Sequence, residues 1–381
     1  MILRDPRPDA RETWLLRAAL GDGDAARAAW AAWRADADLD RIDQASFRLL
    51  PLAYRNLARL GVTDPWDGAL RGFYRRAWCE NQVLFRRIAG VLEALARAGV
   101  RALVLKGAAL ASPVYGDAGT RPMADADLLV RGGDFVAAVR ALAREGWVAH
   151  DTTAGAMLEA SPAAFREQYD AIGLRQAGDA LPVLDLHDRL LHVYGHHRVD
   201  FPETWLWADA EPFELGGATA RRLSPAHALL HVAFHGYQRQ HVGPIRWVAD
   251  VDRLVRADGP RIDWRTLLRQ AREARVLAPL RDALETAATV VGTPVPSGVR
   301  RALRRERVTA VERFERALRL GTPAWAADYG RTLAPVLRRV RSRERLPWPG
   351  WRRTFKEAWR LAYKLPRRHV RRALAGVAGR R

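Results

Sequence analysis

Cysteine is almost absent from the chain. Cys79 stands alone among 381 residues, which excludes an internal disulfide and any zinc site built from several cysteines. Long apolar runs are absent as well, although apolar residues make up 49% of the chain. That content is ample for a core, but no stretch approaches the roughly 20 consecutive apolar residues of a membrane-spanning helix. The start, Met1-Ile2-Leu3-Arg4-Asp5-Pro6, lacks the hydrophobic region of a secretory signal, so a cytoplasmic protein is expected. Lysine is scarce: the basic side chains are nearly all arginine, and only Lys106, Lys356 and Lys364 are lysines.

The charge is plentiful but unevenly placed. The formal net charge is +20, and residues 337–381 alone hold sixteen Lys and Arg against Glu344 and Glu357, a balance of +14. The other 336 residues therefore carry only +6, which is not the profile of a uniformly basic nucleic-acid binder. In the basic tail, Trp351, Phe355, Trp359 and Tyr363 recur every four residues. Such a stripe suits an anionic membrane surface or another polyanion, or equally a docking face on the chain's own helices.

The length suggests more than one packed unit. The chain divides into an N-terminal helical region (1–98), a core (99–190), a second helical region (191–336) and the basic tail (337–381). Gly21-Asp22-Gly23 separates two short Ala-rich helices, and Pro51 marks a helix boundary. Val83, Leu84, Ile88, Val91, Leu92 and Leu95 recur at helical spacing, with Gly99 as a stop. Trp78 and Cys79 are expected in the core. Beyond Leu190 the chain is expected to be helical to about Thr289.

Between the helical regions, Leu103-Val104-Leu105 turns at Lys106-Gly107 into an Ala-rich segment. The apolar run Leu128-Leu129-Val130 follows Asp125-Ala126-Asp127. In a strand alternate side chains share a face, so Asp125 and Asp127 are expected to point the same way. Paired carboxylates repel unless a cation sits between them, and Mg²⁺ in phosphoryl-transfer sites is commonly held by one or two of them. Gly107 would open a helix whose N–H groups face a phosphate. Ala171 to Gln176 and Leu181 to His187 read as strands joined at Gly178-Asp179, with Asp185 and His187 on one face.

The block from Leu105 to Val130, with Lys106-Gly107, Tyr115 and Arg121-Pro122-Met123-Ala124-Asp125-Ala126-Asp127, resembles an uncharacterised nucleotidyltransferase family of the DNA polymerase β-like superfamily. Asp185-Leu186-His187, the segment Leu230-His231 to His235-Gly236, and Arg246-Trp247-Val248-Ala249-Asp250 also match its pattern. Two departures stand out: Ala108 occupies the place of the superfamily's serine, and Asp188 that of an aromatic residue. The resemblance implies an α/β (α+β) fold with a small mixed sheet flanked by N-terminal and C-terminal helical regions. It also implies an enzyme that moves a nucleoside monophosphate from an NTP to an unidentified acceptor, a small molecule, a peptide or protein, or an RNA end. In that reading Asp125, Asp127 and Asp185 hold Mg²⁺ (or Mn²⁺), and Asp185 completes the metal site or takes a proton. Lys106, Gly107, Arg121 and His187 contact the nucleotide.

Two alternatives compete with this reading. One is a nucleotide-binding protein without turnover on the same scaffold. The other is a metal-dependent hydrolase using His227, His231 and His235, which recur every four residues on one helix flank but lack the glutamate of a zinc-protease motif. His231 and His235 are candidates to line the substrate cleft, whereas Trp247 is expected in the core.

Overall fold

The computed structural model describes residues 6–306, apart from 177, 180–182, 191, 194–196, 199–200, 238–244 and 275. The basic tail and its aromatic stripe lie outside the described residues.

Five helices open the chain: α1 (Ala10–Leu20), α2 (Gly23–Ala35), α3 (Gln44–Phe47), α4 (Leu50–Arg59) and α5 (Asp67–Arg97). Asp9 and Glu12 close a reciprocal capping box at the start of α1, satisfying backbone donors that the first turn leaves free. α5 buries Leu84, Phe85, Ile88, Val91 and Leu95, a stripe at the three-to-four residue spacing of one helix face. Each such side chain contributes about 1.5–3 kcal/mol by leaving water, and Ile88→Ala would cost about 2–5 kcal/mol. Trp78 and Cys79 lie on the opposite face of α5. Contrary to expectation both are exposed, Trp78 by 46%.

The middle of the chain alternates strand and helix. It runs β1 (Ala102–Leu105), α6 (Lys106–Leu110), β2 (Ala126–Val130), α7 (Phe135–Arg144), β3 (Trp147–Ala149), α8 (Thr152–Ala160), α9 (Pro162–Gln168), β4 (Ala171–Gln176) and β5 (Leu184–His187). Two-residue strands β6 (His192–Val193) and β7 (His197–Arg198) pair with each other. Then come α10 (Glu203–Ala208), β8 (Glu211–Leu215), β9 (Ala218–Arg222), α11 (Pro225–Gly236), α12 (Ile245–Asp258), α13 (Trp264–Glu273), α14 (Leu277–Val291) and α15 (Ser297–Arg305). The fold is thus mixed α/β, a sheet flanked by helices from both ends of the chain.

The sheet has seven strands in the order β3-β4-β5-β2-β1-β9-β8. The β8–β9 hairpin corrects the expectation that the chain after Leu190 is wholly helical. Its turn is Gly216-Gly217, with φ of +62° and +90°, the left-handed pair that a two-residue hairpin loop needs. The turn also presses on α5: a Cβ on Gly216 would sit 2.4 Å from the Phe85 carbonyl oxygen.

Alternation sends the sheet's two faces into different cores. Val104, Leu128, Val130, Ile172, Leu184 and Leu186 pack with α5 and α7. Leu103, Leu105 and Leu129 face a layer in which the first helices and the last helices share one core, including Leu16, Trp33, Leu229, Val248 and Leu280. α1 packs on both α12 and α14, and Arg17 Nε donates to the Val290 carbonyl at 2.9 Å.

A candidate active site on the sheet face

The site begins with strand register. β2 and β5 run parallel, with Asp127 beside Asp185 and Leu129 beside His187. Since Leu128, Leu184 and Leu186 fill the other core, alternation puts Asp127, Asp185 and His187 on the opposite face. The three offer ligand atoms within 4.8 Å of one another, and they form the one such group found among the described residues.

Lys106 reaches this group from the end of β1. It has φ of +44°, the only positive φ outside glycine among the described residues, a strained backbone of the kind that clusters at functional sites. Its Nζ donates to Asp127 Oδ1 at 2.6 Å, and His187 Nε2 lies 3.0 Å from the same oxygen. Burial works to raise the pKa of Asp127, but Lys106 and then His187 outweigh it and hold the carboxyl well below its ordinary range. Asp185 goes the other way. Burial first, then repulsion from Asp127, raises its pKa. Neither Asp185 nor Asp127 Oδ2 has a hydrogen-bond partner among the described residues.

Asp125 lies outside the trio. β2 begins at Ala126, so Asp125 precedes the ladder and is exposed. The alternation argument extended the strand one residue too far. Its charge still reaches Asp185.

Arg121 and Gly107 have partners other than those expected of them. Arg121 is 4% exposed, and its Nε and Nη2 donate to Asp250 Oδ1 and Oδ2 at 2.7 and 2.8 Å. Tyr115 donates its hydroxyl to Asp250 Oδ1 at 2.6 Å. Burial opposes the Arg121 charge, but Asp250 overcomes this and raises its pKa. A Cβ on Gly107 would fall 2.1 Å from Arg121 Nη1 and 2.6 Å from Met123 Sδ. The glycine thus makes room for a buried arginine. α6 is itself a single turn of five residues.

The motif residues Tyr115, Arg246 and Asp250 therefore clamp the loop that leads into β2. Arg246 Nη1 donates to the Pro122 carbonyl at 3.0 Å. Trp247 is buried, its indole N–H on the Pro6 carbonyl at 3.1 Å. Asp188 is 1% exposed and pairs with Arg166 and Arg189 at 2.6 and 2.8 Å, so it is held away as a structural carboxylate. Sequence order gave no cue to these partners, which lie up to 241 residues apart.

α11 covers the face, but its three histidines do not act together. His227 is buried between Ser224 Oγ and Gln270 Oε1, each at 3.0 Å, and stacks edge-on against Phe201. His231 is buried and borders a small cavity with Lys106 and Arg222. His235 is open to solvent in a recess crowded by surrounding protein. Its ring centroid lies 6.1 Å from that of His231. Burial, then the charge of Lys106, lowers the pKa of both His231 and His235.

With this geometry in place the chain can be set beside known proteins. Residues 44–292 match the family described as uncharacterised nucleotidyltransferase. The chain belongs to that family. Membership gives this nucleotidyltransferase relative its general kind, and it extends over the sheet, the carboxylates and the helices that cover them. No curated protein matches the chain. A solved structure, an antigenic nucleotidyltransferase-like protein from Paracoccidioides brasiliensis, is similar at 16% identity. That likeness covers 62% of this chain and 97% of the other with a TM-score of 0.32, and nothing about the site is rested on it. Among the described residues no helix is long and apolar enough to cross a membrane.

Proposed function

We propose that the protein moves a nucleoside monophosphate from a nucleoside triphosphate to an acceptor nucleophile, with a divalent cation, Mg²⁺ or Mn²⁺, held by Asp127 and Asp185. The observation that carries this reading is the pairing of the two carboxylates across parallel strands. The donor set suits a hard divalent ion: two carboxylates, one without a hydrogen bond and one with an oxygen to spare, whose mutual repulsion a cation would relieve. His187 supplies a neighbouring nitrogen, and Asp125 adds negative charge from the rim. When bound, the metal would neutralise phosphate charge as the nucleophile bonds to the α-phosphorus and the α–β phosphoanhydride bond breaks, releasing pyrophosphate.

The chain's own groups have separate tasks in this scheme. Asp185, whose carboxylate has no hydrogen-bond partner among the described residues, holds the metal or accepts the acceptor's proton. Lys106 carries a charge that can pass from Asp127 to the triphosphate. Gly107 and Arg121, expected at the nucleotide, instead brace the loop that carries Asp125 and Asp127. The acceptor is a small molecule, a peptide or protein side chain, or an RNA end.

The Lys106–Asp127 ion pair favours one competing reading, a nucleotide-binding scaffold without turnover in which lysine replaces the metal's charge. Mass spectrometry of products formed from nucleotide and cell extract decides between them. Adducts larger by a nucleoside monophosphate, formed by the wild type and not by Asp127→Asn, are the expected result. Nucleotide binding without any adduct would leave the scaffold.

A further inference from the structure

Three guanidinium groups gather beside the carboxylates. Arg48 lies at the C-terminal end of α3, Arg121 before β2, and Arg246 in the first turn of α12; α3 packs against α12. Arg121 gives its Nε and Nη2 to Asp250. Among the described residues the Arg48 guanidinium makes no hydrogen bond or ion pair, and that of Arg246 has only the Pro122 carbonyl. The remaining carboxylate in their field is Asp125, which is exposed and within ion-pair distance of neither.

Partly buried guanidiniums without counter-ions are costly, because each gives up hydration without a matching anion. Here the cost is compounded by like charge. Burial and then repulsion from Arg121 push the pKa of Arg246 down to about 10. Burial likewise lowers that of Arg48, and Arg121 adds to the effect while Asp125 opposes it. Guanidiniums stay charged at neutral pH, so both sites hold a desolvated cation with the like charge of Arg121 nearby. Its position is specific as well. Arg246 sits on the Pro122 carbonyl, three residues ahead of Asp125, at the edge of the carboxylate face.

We propose that Arg48 and Arg246 are the polyphosphate-binding residues of this cleft, gripping the triphosphate beside the loop that carries Asp125 into β2. The planar fork of arginine matches phosphate oxygens in pairs, and a metal-bound triphosphate would lie between the carboxylates and these two cations. Sequence alone pointed to Arg121 for this contact, but that side chain is the brace. The inference rests on the nucleotide reading above and adds the residues that hold its anionic part.

The test titrates full-length protein with inorganic tripolyphosphate, without metal, by calorimetry at low and high salt. The wild type should bind, more weakly at high salt. Arg48→Gln and Arg246→Gln should each lose about tenfold or more in affinity, with Arg48→Lys and Arg246→Lys intermediate. Melting temperatures guard against misfolding, and the lysine variants keep the test open if a glutamine variant fails to fold. Unchanged affinity in all four variants would overturn the assignment while leaving the nucleotide reading intact. No binding by the wild type would overturn it too. Lost binding in the variants with no nucleotidyl transfer to any acceptor would uphold the assignment and sink the transfer reaction alone.

Discussion

Asp250→Asn should reveal how much of the site depends on a residue remote from the carboxylates. The substitution leaves the Arg121 guanidinium in place, 4% exposed, and removes the charge that receives its two hydrogen bonds and the Tyr115 hydroxyl. Breaking a buried pair by neutralising one partner costs about 3–5 kcal/mol, because the other charge stays buried. For a domain of this size that corresponds to a fall in melting temperature of roughly 10 °C. The loop from Arg121 to Asp125 should loosen with it, so nucleotide binding should weaken although Asp250 touches no ligand. Calorimetry and nucleotide titration of the variant measure both effects. The double variant Arg121→Met/Asp250→Leu should recover stability relative to Asp250→Asn, since an apolar pair removes the stranded charge. A loss under about 1 kcal/mol for Asp250→Asn, or a double variant worse than the single, would refute the reasoning.

Asp185→Asn separates function from stability. Because folding raises the pKa of Asp185, ionisation at neutral pH works against the fold, so the variant should keep or raise its melting temperature while transfer falls about a hundredfold or more; a large loss of stability would mark Asp185 as structural. Gly107→Ala should destabilise by about 1–3 kcal/mol, read from denaturant melts, because its methyl group meets an Arg121 that Asp250 prevents from yielding; a neutral result would contradict the packing. His227 and His231 are held neutral by burial, so both bind a proton more weakly folded than unfolded. The stability they allow is therefore full above the ordinary value of 6.5 and declines as pH falls below it. Melting curves between pH 8 and about 5 should show that decline, flattened in His231→Gln, and an unaltered slope would count against it.

Local pattern made the middle of the sheet legible. Alternation marked β1, β2, β4 and β5, and it put Asp185 and His187 on one face. The Lys106 turn and the Asp127 position lay inside one contiguous block. Long-range pairing was not legible in the same way. Arg121 and Asp250 are 129 residues apart, and a buried arginine looks no different in sequence from a phosphate-binding one. Arg48 has no local signal at all, since what singles it out is a guanidinium without a hydrogen bond or ion pair among the described residues. The β8–β9 hairpin had a signal, Gly216-Gly217 between short alternating runs, that the surrounding helical pattern obscured. Trp78 and Cys79 went to the surface because α5 turns its Leu84, Ile88 and Leu95 face inward, and residues on the other flank follow the helix whatever their polarity.

In the proposed reaction Asp127 and Asp185 together hold the metal that accompanies the nucleotide. Electron paramagnetic resonance of Mn²⁺, titrated into the protein with a nucleoside triphosphate whose α,β-bridge cannot be cleaved, tests it directly. The expected result is bound Mn²⁺ in the wild type that depends on the nucleotide, and its loss in both Asp127→Asn and Asp185→Asn while each keeps its fold. Equal Mn²⁺ binding in the wild type and both variants would contradict it.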